Sequence, residues 1–373
     1  MRIPVLGIGT VSALGCGIET LKTGLEGKVK PEIEVHKIAT SDGETSLKVY
    51  TAGVSGLDRF VSRQALRRMD RFIQMALLSS YLAIEDSGVI LGDRTRIGII
   101  FGSGYGPLQT TFSFLDSLID FGDKCASPTL FANSVHNSLA SHVSILLKVQ
   151  GPCLTVTCFE QTTFSVMTTA INWLREGTAD YVLAGVGDEY CDVRGYATLL
   201  SGSRGCTDIM PFSFDECSYL PGEGFAAFLL GKAPTDRAYC NLIRCETGRN
   251  EISGDHETLF LAANGEQDTG RFYKTLAGNR RVLAYSPLYG SMPVGNGFDI
   301  AIAALSLKEG VVYPSPVQSG DKTDNAENAD NAENAENAGN AGNAENEHNA
   351  HTTEISCIGF GNNGRYSLFT LAK

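Results

Sequence analysis

Four short runs in this chain are apolar or small from end to end. They are Ile97-Gly98-Ile99-Ile100-Phe101, Tyr181-Val182-Leu183-Ala184-Gly185, Gly224-Phe225-Ala226-Ala227-Phe228-Leu229-Leu230 and Ile355-Ser356-Cys357-Ile358-Gly359-Phe360. None alternates apolar with polar residues, so neither face of such a strand is built to meet water. Strands covered on both faces are expected to be parallel, with helices above and below. The intervening chain carries the matching helical signals. A helix is expected over about residues 71–84, stopping at Asp86-Ser87-Gly88, where the glycine can take the left-handed C-terminal position. Two more are expected over residues 164–176, stopping at Gly177, and 298–308, stopping at Gly310. This alternation predicts an α/β layered fold. With 373 residues, 43% of them hydrophobic, the chain can form two domains or one large fold of two similar halves.

One stretch cannot join that core. From Asp321 to Ala350 the chain repeats Asn-Ala-Glu-Asn, and no bulky apolar residue lies between Val317 and Ile355. Such a segment buries too little area to offset its ordering entropy, so a disordered loop is expected at 320–353. The tract also accounts for most of the charge. Acids outnumber bases by 42 to 30, but residues 321–351 alone hold eight acids against Lys322. A globally acidic chain argues against nucleic-acid binding, which needs cations to replace counterions on phosphates.

Histidine restricts the chemistry further. Of six, His348 and His351 fall in or beside the acidic tract, leaving His36, His136, His142 and His256. His136 and His142 read as core or interface side chains rather than ligands. Ten cysteines show no Cys-x-x-Cys spacing, so no metal site is expected and the thiols read as reduced, in a cytoplasmic protein. The opening Met1-Arg2-Ile3-Pro4-Val5-Leu6-Gly7-Ile8-Gly9 has some signal-peptide character. Pro4, Gly7 and Gly9 interrupt it, and the better reading is a core strand running into a glycine-rich turn. No apolar run approaches the ~20 residues a membrane span requires.

The order of motifs resembles the β-ketoacyl synthase family. Gly7-Ile8-Gly9-Thr10-Val11-Ser12-Ala13-Leu14-Gly15 opens it, followed by Arg68-Met69-Asp70-Arg71-Phe72, Glu85-Asp86-Ser87-Gly88 and Gly102-Ser103-Gly104-Tyr105-Gly106. Gly151-Pro152, Ala179-Asp180-Tyr181-Val182-Leu183-Ala184-Gly185, Pro211-Phe212-Ser213-Phe214-Asp215 and Pro221-Gly222-Glu223-Gly224 come next, and Gly359-Phe360-Gly361-Asn362-Asn363-Gly364 closes the series. The resemblance implies a thiolase-like five-layer α-β-α-β-α fold of two similar halves. The first half would be residues 1–235, and a shortened second half 236–373. It also implies a dimer, no cofactor, and a Cys-His-His catalytic set.

The sequence departs from that set. Spacing between Gly151-Pro152 and Ala179-Asp180 puts Glu160 at the nucleophile position. Cys158, two residues earlier, would need compensating insertions on both sides to serve as a displaced nucleophile, and reads as a strand-end core residue. The first family histidine maps to Asn264, in Asn264-Gly265-Glu266, and the second to Ser291. Condensation needs a thiolate to carry the acyl chain and imidazoles to promote decarboxylation, so no catalytic residue is expected here. A ketosynthase-like chain without its nucleophile resembles the chain-length factor of polyketide and aryl-polyene systems. That resemblance implies an active ketosynthase subunit as heterodimer partner, with this chain forming part of the acyl tunnel. Leu108, Thr111, Phe112 and Leu115 share a helical face and, with Phe360, are the expected gate; ordinary core packing is the competing reading. Arg63, Arg67 and Arg68, next to Arg71, are the expected docking site for an acyl carrier protein, against structural pairing with Asp70 or Glu85. A malonyl-carrier-protein decarboxylase, or another acyltransferase acting in its own right, remains the alternative, although Glu160 would repel a carboxylate substrate unless protonated.

Overall fold

The structure is a computed structural model and describes residues 2–67, 69–252, 254, 256–278, 280–317 and 352–373, the side chain of Cys125 excepted. The Asn-Ala-Glu tract lies outside the described residues. In the first part of the chain, β1 (Ile3–Ser12) is followed by α1 (Arg71–Ser87), β2 (Ile97–Ser103), α2 (Leu108–Phe121) and α3 (Ser138–Leu147). Then come β3 (Cys153–Thr157), α4 (Thr162–Arg175), β4 (Tyr181–Asp188), α5 (Asp192–Leu200) and β5 (Gly224–Gly231). The second part holds β6 (Cys240–Arg249), β7 (Thr258–Leu261), α6 (Gln267–Ala277), β8 (Arg281–Leu283), α7 (Asn296–Glu309), β9 (Glu354–Phe360) and β10 (Arg365–Ala372).

The two parts repeat one topology. The strands lie side by side as β1-β5-β4-β2-β3 and again as β6-β10-β9-β7-β8. In each set the last three are mutually parallel, and the strand made last runs antiparallel to both neighbours. Residues Ile3–Val5 of β1 pair antiparallel with Cys240–Leu242 of β6, which splices the two sets into one sheet. Helices α1 and α3 cover the outer face of the first set and α6 that of the second, while α4 and α7 touch strands of both. These are the five layers of the expected fold.

Two details differ from expectation. The apolar run at β5 is antiparallel on both sides, and β9 is parallel to β7 but antiparallel to β10. Such a run reports that helices cover both faces, here α1 and α7 over β5, and says nothing of strand direction. Nor do Gly7 and Gly9 form a turn: β1 continues through them, with an irregularity between Val5 and Gly7 where its register against β5 shifts. Their missing side chains instead let α1 lie directly on the strand. A Cβ at Gly9 would stand 2.0 Å from the Ser79 carbonyl oxygen, and one at Gly7 2.2 Å from that of Ala83.

The helical stops fall where glycine allows them. Gly88 and Gly310 both take left-handed backbone (φ 62° and 73°) at the ends of α1 and α7. The N-terminus of α1 is capped by Asp70, whose carboxylate accepts the Ile73 N–H at 2.8 Å. No helix among the described residues is long and apolar enough to cross a membrane.

Helix α7 is buried from Asn296 to Leu307, as a helix of the central layer must be. It nonetheless carries Asp299, whose Oδ1 accepts the Tyr289 hydroxyl at 2.9 Å. Burial pushes this carboxyl up to about 8, so at neutral pH it keeps a proton that the unfolded chain, with an ordinary carboxylate, has lost. The native state then binds more protons than the unfolded state between about pH 4 and pH 8, and stability falls as pH rises through that window. Urea midpoints should therefore drop from pH 5 to pH 8, and Asp299→Asn should flatten the profile. An unchanged slope in the variant would show that Asp299 is ionised in the fold.

Candidate functional site

A cavity of about 470 Å³ opens where the parallel strands of both sets end. The loop after β2 brings Tyr105, the turn after β3 brings Glu160, β7 leads to Asn264 and β9 to Asn362. Carboxyl ends of strands are where α/β sheets leave a crevice.

Glu160 sits on the sharp turn between β3 and α4. Its neighbour Phe159 takes left-handed backbone, φ 45°, a conformation costly for a bulky residue and typical of functional turns. The turn is held by the Cys158 N–H, which donates to Thr162 Oγ1 at 2.8 Å. Against it runs the closing glycine loop: a Cβ on Gly361 would stand 3.3 Å from Glu160 Oε2. Cys158 itself is exposed rather than packed in the core as expected, because it leaves β3 at the sheet's edge, and it does not line the cavity.

Asn264 lines the same cavity, in a turn that needs Gly265 (φ 82°), whose Cβ would collide with Ser218. Ser291 does not line the cavity. It is fully buried, donating to the Asn264 carbonyl at 2.5 Å and accepting the Leu220 N–H at 3.1 Å. Its hydroxyl is a strut under the turn.

The sequence reading missed two parts of the site. Glu266 lines the cavity and accepts from Asn362 Nδ2 at 3.2 Å. Burial, and secondarily the charge of Glu160, raise its carboxyl above the ordinary value, though the Asn362 hydrogen bond opposes them. It was visible as the third residue of Asn264-Gly265-Glu266, but spacing alone gave it no role. The other part is the floor, where Arg194 is buried to 4% exposure beneath the Tyr105 ring, 4.9 Å from its centroid. Arg194 donates to the carbonyls of Glu189, Gly222 and Ser291 and to the Tyr219 hydroxyl.

Among the expected gate residues, Leu108 and Phe112 line the cavity. Thr111 instead donates to the Pro107 and Ser134 carbonyls, and Leu115 is exposed. Phe360 packs in the second half's core, stacked on Phe272 at 5.4 Å. Of the arginines, Arg63 and Arg67 are exposed and have no ion-pair partner among the described residues, whereas Arg68 lies outside them. Arg71 pairs with Glu223 rather than with Asp70 or Glu85, and Glu85 pairs with Arg59. His136 is exposed rather than packed in the core, and His142 contacts Asn133 at 3.2 Å. No histidine among the described residues lines the cavity. Among the described residues, no group of His, Cys, Asp or Glu is placed to hold a metal ion.

Comparison with known proteins places this architecture. The model of the β-ketoacyl synthase N-terminal domain matches residues 2–235. The chain belongs to the β-ketoacyl synthase family. Among curated family members it is similar to 3-oxoacyl-[acyl-carrier-protein] synthase 2 of Vibrio cholerae, 26% identical over 200 residues, covering 52% of this chain and 48% of the relative. The enzyme of the same name from Staphylococcus aureus is 30% identical over 190 residues, 49% of this chain and 45% of the relative. The ketosynthase-family chain thus spans about half the length of the curated relatives it matches.

Solved structures extend the likeness in fold to the whole chain. The ishigamide ketosynthase/chain length factor superposes with a TM-score of 0.77 at 15% identity, covering 100% of this chain and 99% of the other. A β-ketoacyl synthase from Burkholderia phymatum gives 0.72 at 13% identity, with the same coverage.

Proposed function

We propose that this ketosynthase-family chain is a non-condensing, chain-length-factor-like partner of an active ketosynthase, shaping an acyl or polyketide tunnel at their shared interface. The observation that carries the reading is Glu160 on the strained turn, lining with Asn264 a cavity that has no histidine among the described residues. A carboxyl group there cannot hold an acyl chain as a thioester, and Glu160 in its ionised form would repel the malonyl carboxylate that a condensing site must bind. An amide and a buried serine supply no imidazole for the enolate.

Two surfaces support a partner-dependent role. Ile119, Phe121 and Phe131 are 79%, 70% and 58% exposed, on α2 and on the neighbouring helix Pro128–Ser134 that packs against it. Leu154 is exposed on β3, the open edge of the sheet. Exposed apolar surface beside an unpaired strand edge suits burial against another subunit. The free guanidinium groups of Arg63 and Arg67 suit an acidic acyl carrier protein. The pathway would be of the polyketide, aryl-polyene or fatty-acid type, in the cytoplasm.

Co-expression with a ketosynthase that keeps its cysteine and histidines tests the proposal. The two should co-purify, and the purified chain alone should neither condense nor decarboxylate malonyl carrier protein. Phe112→Ala, which shortens a side chain facing the cavity, should shift the pair's products toward longer chains by two-carbon steps. Decarboxylation by the isolated chain would favour the decarboxylase reading. Failure to co-purify, with chain length indifferent to Phe112, would overturn the tunnel role.

A further inference from the structure

The segment joining α5 to β5 brings two cysteines together at the cavity wall. Cys217 lines the cavity, and its sulfur lies 3.6 Å from the hydroxyl of buried Ser203. The Cys206 thiol donates to the Cys217 carbonyl at 3.2 Å, so its sulfur lies directly against residue 217. Rotation of the two side chains about their Cα–Cβ bonds can bring sulfurs on residues this close within bonding distance. We propose that Cys206 and Cys217 are a redox modification site that closes to an intramolecular disulfide when the protein meets a low-molecular-weight disulfide.

The order of events follows from the surroundings. Burial, and secondarily the adjacent Cys217 thiol, push Cys206 up to about 11, so it keeps its proton and resolves rather than initiates. Cys217, reachable from the cavity, attacks as its thiolate one sulfur of the small disulfide, forming a mixed disulfide and releasing the first small thiolate. Cys206 then loses its proton to solvent and attacks the Cys217 sulfur, expelling the second small thiolate. Two electrons pass from the protein thiols to the small disulfide, which ends as two thiols.

The bridge would act on the site through one residue. Ser218, next to Cys217, donates its N–H to the Gly265 carbonyl at 2.9 Å, and its hydroxyl bonds Met210 on the same segment. Closing residues 206 and 217 therefore stiffens the wall on which the Asn264-Gly265 turn rests. The chemistry is independent of the role proposed above and can be read on the isolated chain.

The test treats the full chain with oxidised glutathione, or with dithiothreitol as control, caps free thiols with iodoacetamide and maps the peptides. Trypsin cutting after Arg204 and Lys232 releases residues 205–232, which contain both cysteines. After oxidation this peptide should be lighter by two hydrogens and carry no alkyl group. Cleavage after Glu216 should leave two pieces joined until reduction. Cys206→Ser should retain glutathione on Cys217, whereas Cys217→Ser should leave Cys206 without an adduct. Two alkyl groups on 205–232 after oxidation, or a glutathione adduct persisting on Cys217 in the unaltered chain, would overturn the proposal.

Discussion

Replacing Arg194 by methionine is expected to cost about 3–5 kcal/mol of folding stability, the range for breaking a buried charged network by removing one partner. The guanidinium donates to Glu189 O at 3.0 Å, Gly222 O at 2.7 Å and Ser291 O at 2.8 Å. These carbonyls belong to the exit of β4, the approach to β5 and the turn before α7, so one side chain ties three chain segments under the cavity. Methionine matches much of the volume but donates nothing, leaving the Glu189 and Gly222 carbonyls unserved where water has little access and the Ser291 carbonyl with the Gly222 N–H alone, at 3.0 Å. Arg194 is also the strongest charge holding down the carboxyl of Asp188, which burial otherwise raises. Arg194→Lys should recover only part of the loss, because a point-like ammonium cannot span the fork of acceptors. Urea unfolding of the three proteins measures this. A loss below about 1 kcal/mol would mean that water takes over the arginine's partners.

The second large effect is expected at Gly9. Valine there would drive its Cβ to 2.0 Å from Ser79 O and 2.6 Å from Ala83 N, both backbone atoms of α1. A backbone atom cannot rotate away as a side chain can, so the whole helix must lift off the strand. The cost should be about 3 kcal/mol or more, the upper range for overpacking, and soluble yield should fall accordingly. Gly92, with nothing within 4 Å of its Cβ position, is the matched control, and Gly92→Ala should stay within about 0.5 kcal/mol of the original. If Gly9→Val unfolds at the same denaturant concentration, the close seating of α1 on β1 is wrong.

These two residues also mark how far the sequence could be read. Strands, helix ends and layers were legible because burial on two faces and glycine stops write themselves locally. Gly7 and Gly9 were noticed, but a turn is the commoner use of glycine, and only the path of α1 explains them. Arg194 was invisible, since Asp192-Val193-Arg194 reads as an ordinary surface turn of helix and its acceptors are backbone atoms from distant segments. Spacing mapped Glu160 and Asn264 onto the family's catalytic positions, and both line the same cavity. It grouped Thr111 and Leu115 with Phe112, although the actual face of α2 is narrower than helical periodicity suggests. Direction of pairing was illegible for β5, because direction depends on the crossover and not on composition.

The strand order has a consequence for how the chain is made. In each set the first strand lies beside the last, so Ile8 meets its cross-strand partner once Phe228 has been made. Until β5 exists, β1 can pair only with the two-residue strand Gly15–Cys16. At the ~5–20 residues per second of synthesis, that interval lasts tens of seconds. Throughout it a ten-residue strand, buried along its whole length in the finished fold, is exposed on the nascent polypeptide. Production of this chain should therefore depend on chaperones that shield early strands, and slowing translation between residues 12 and 224 should aggravate aggregation.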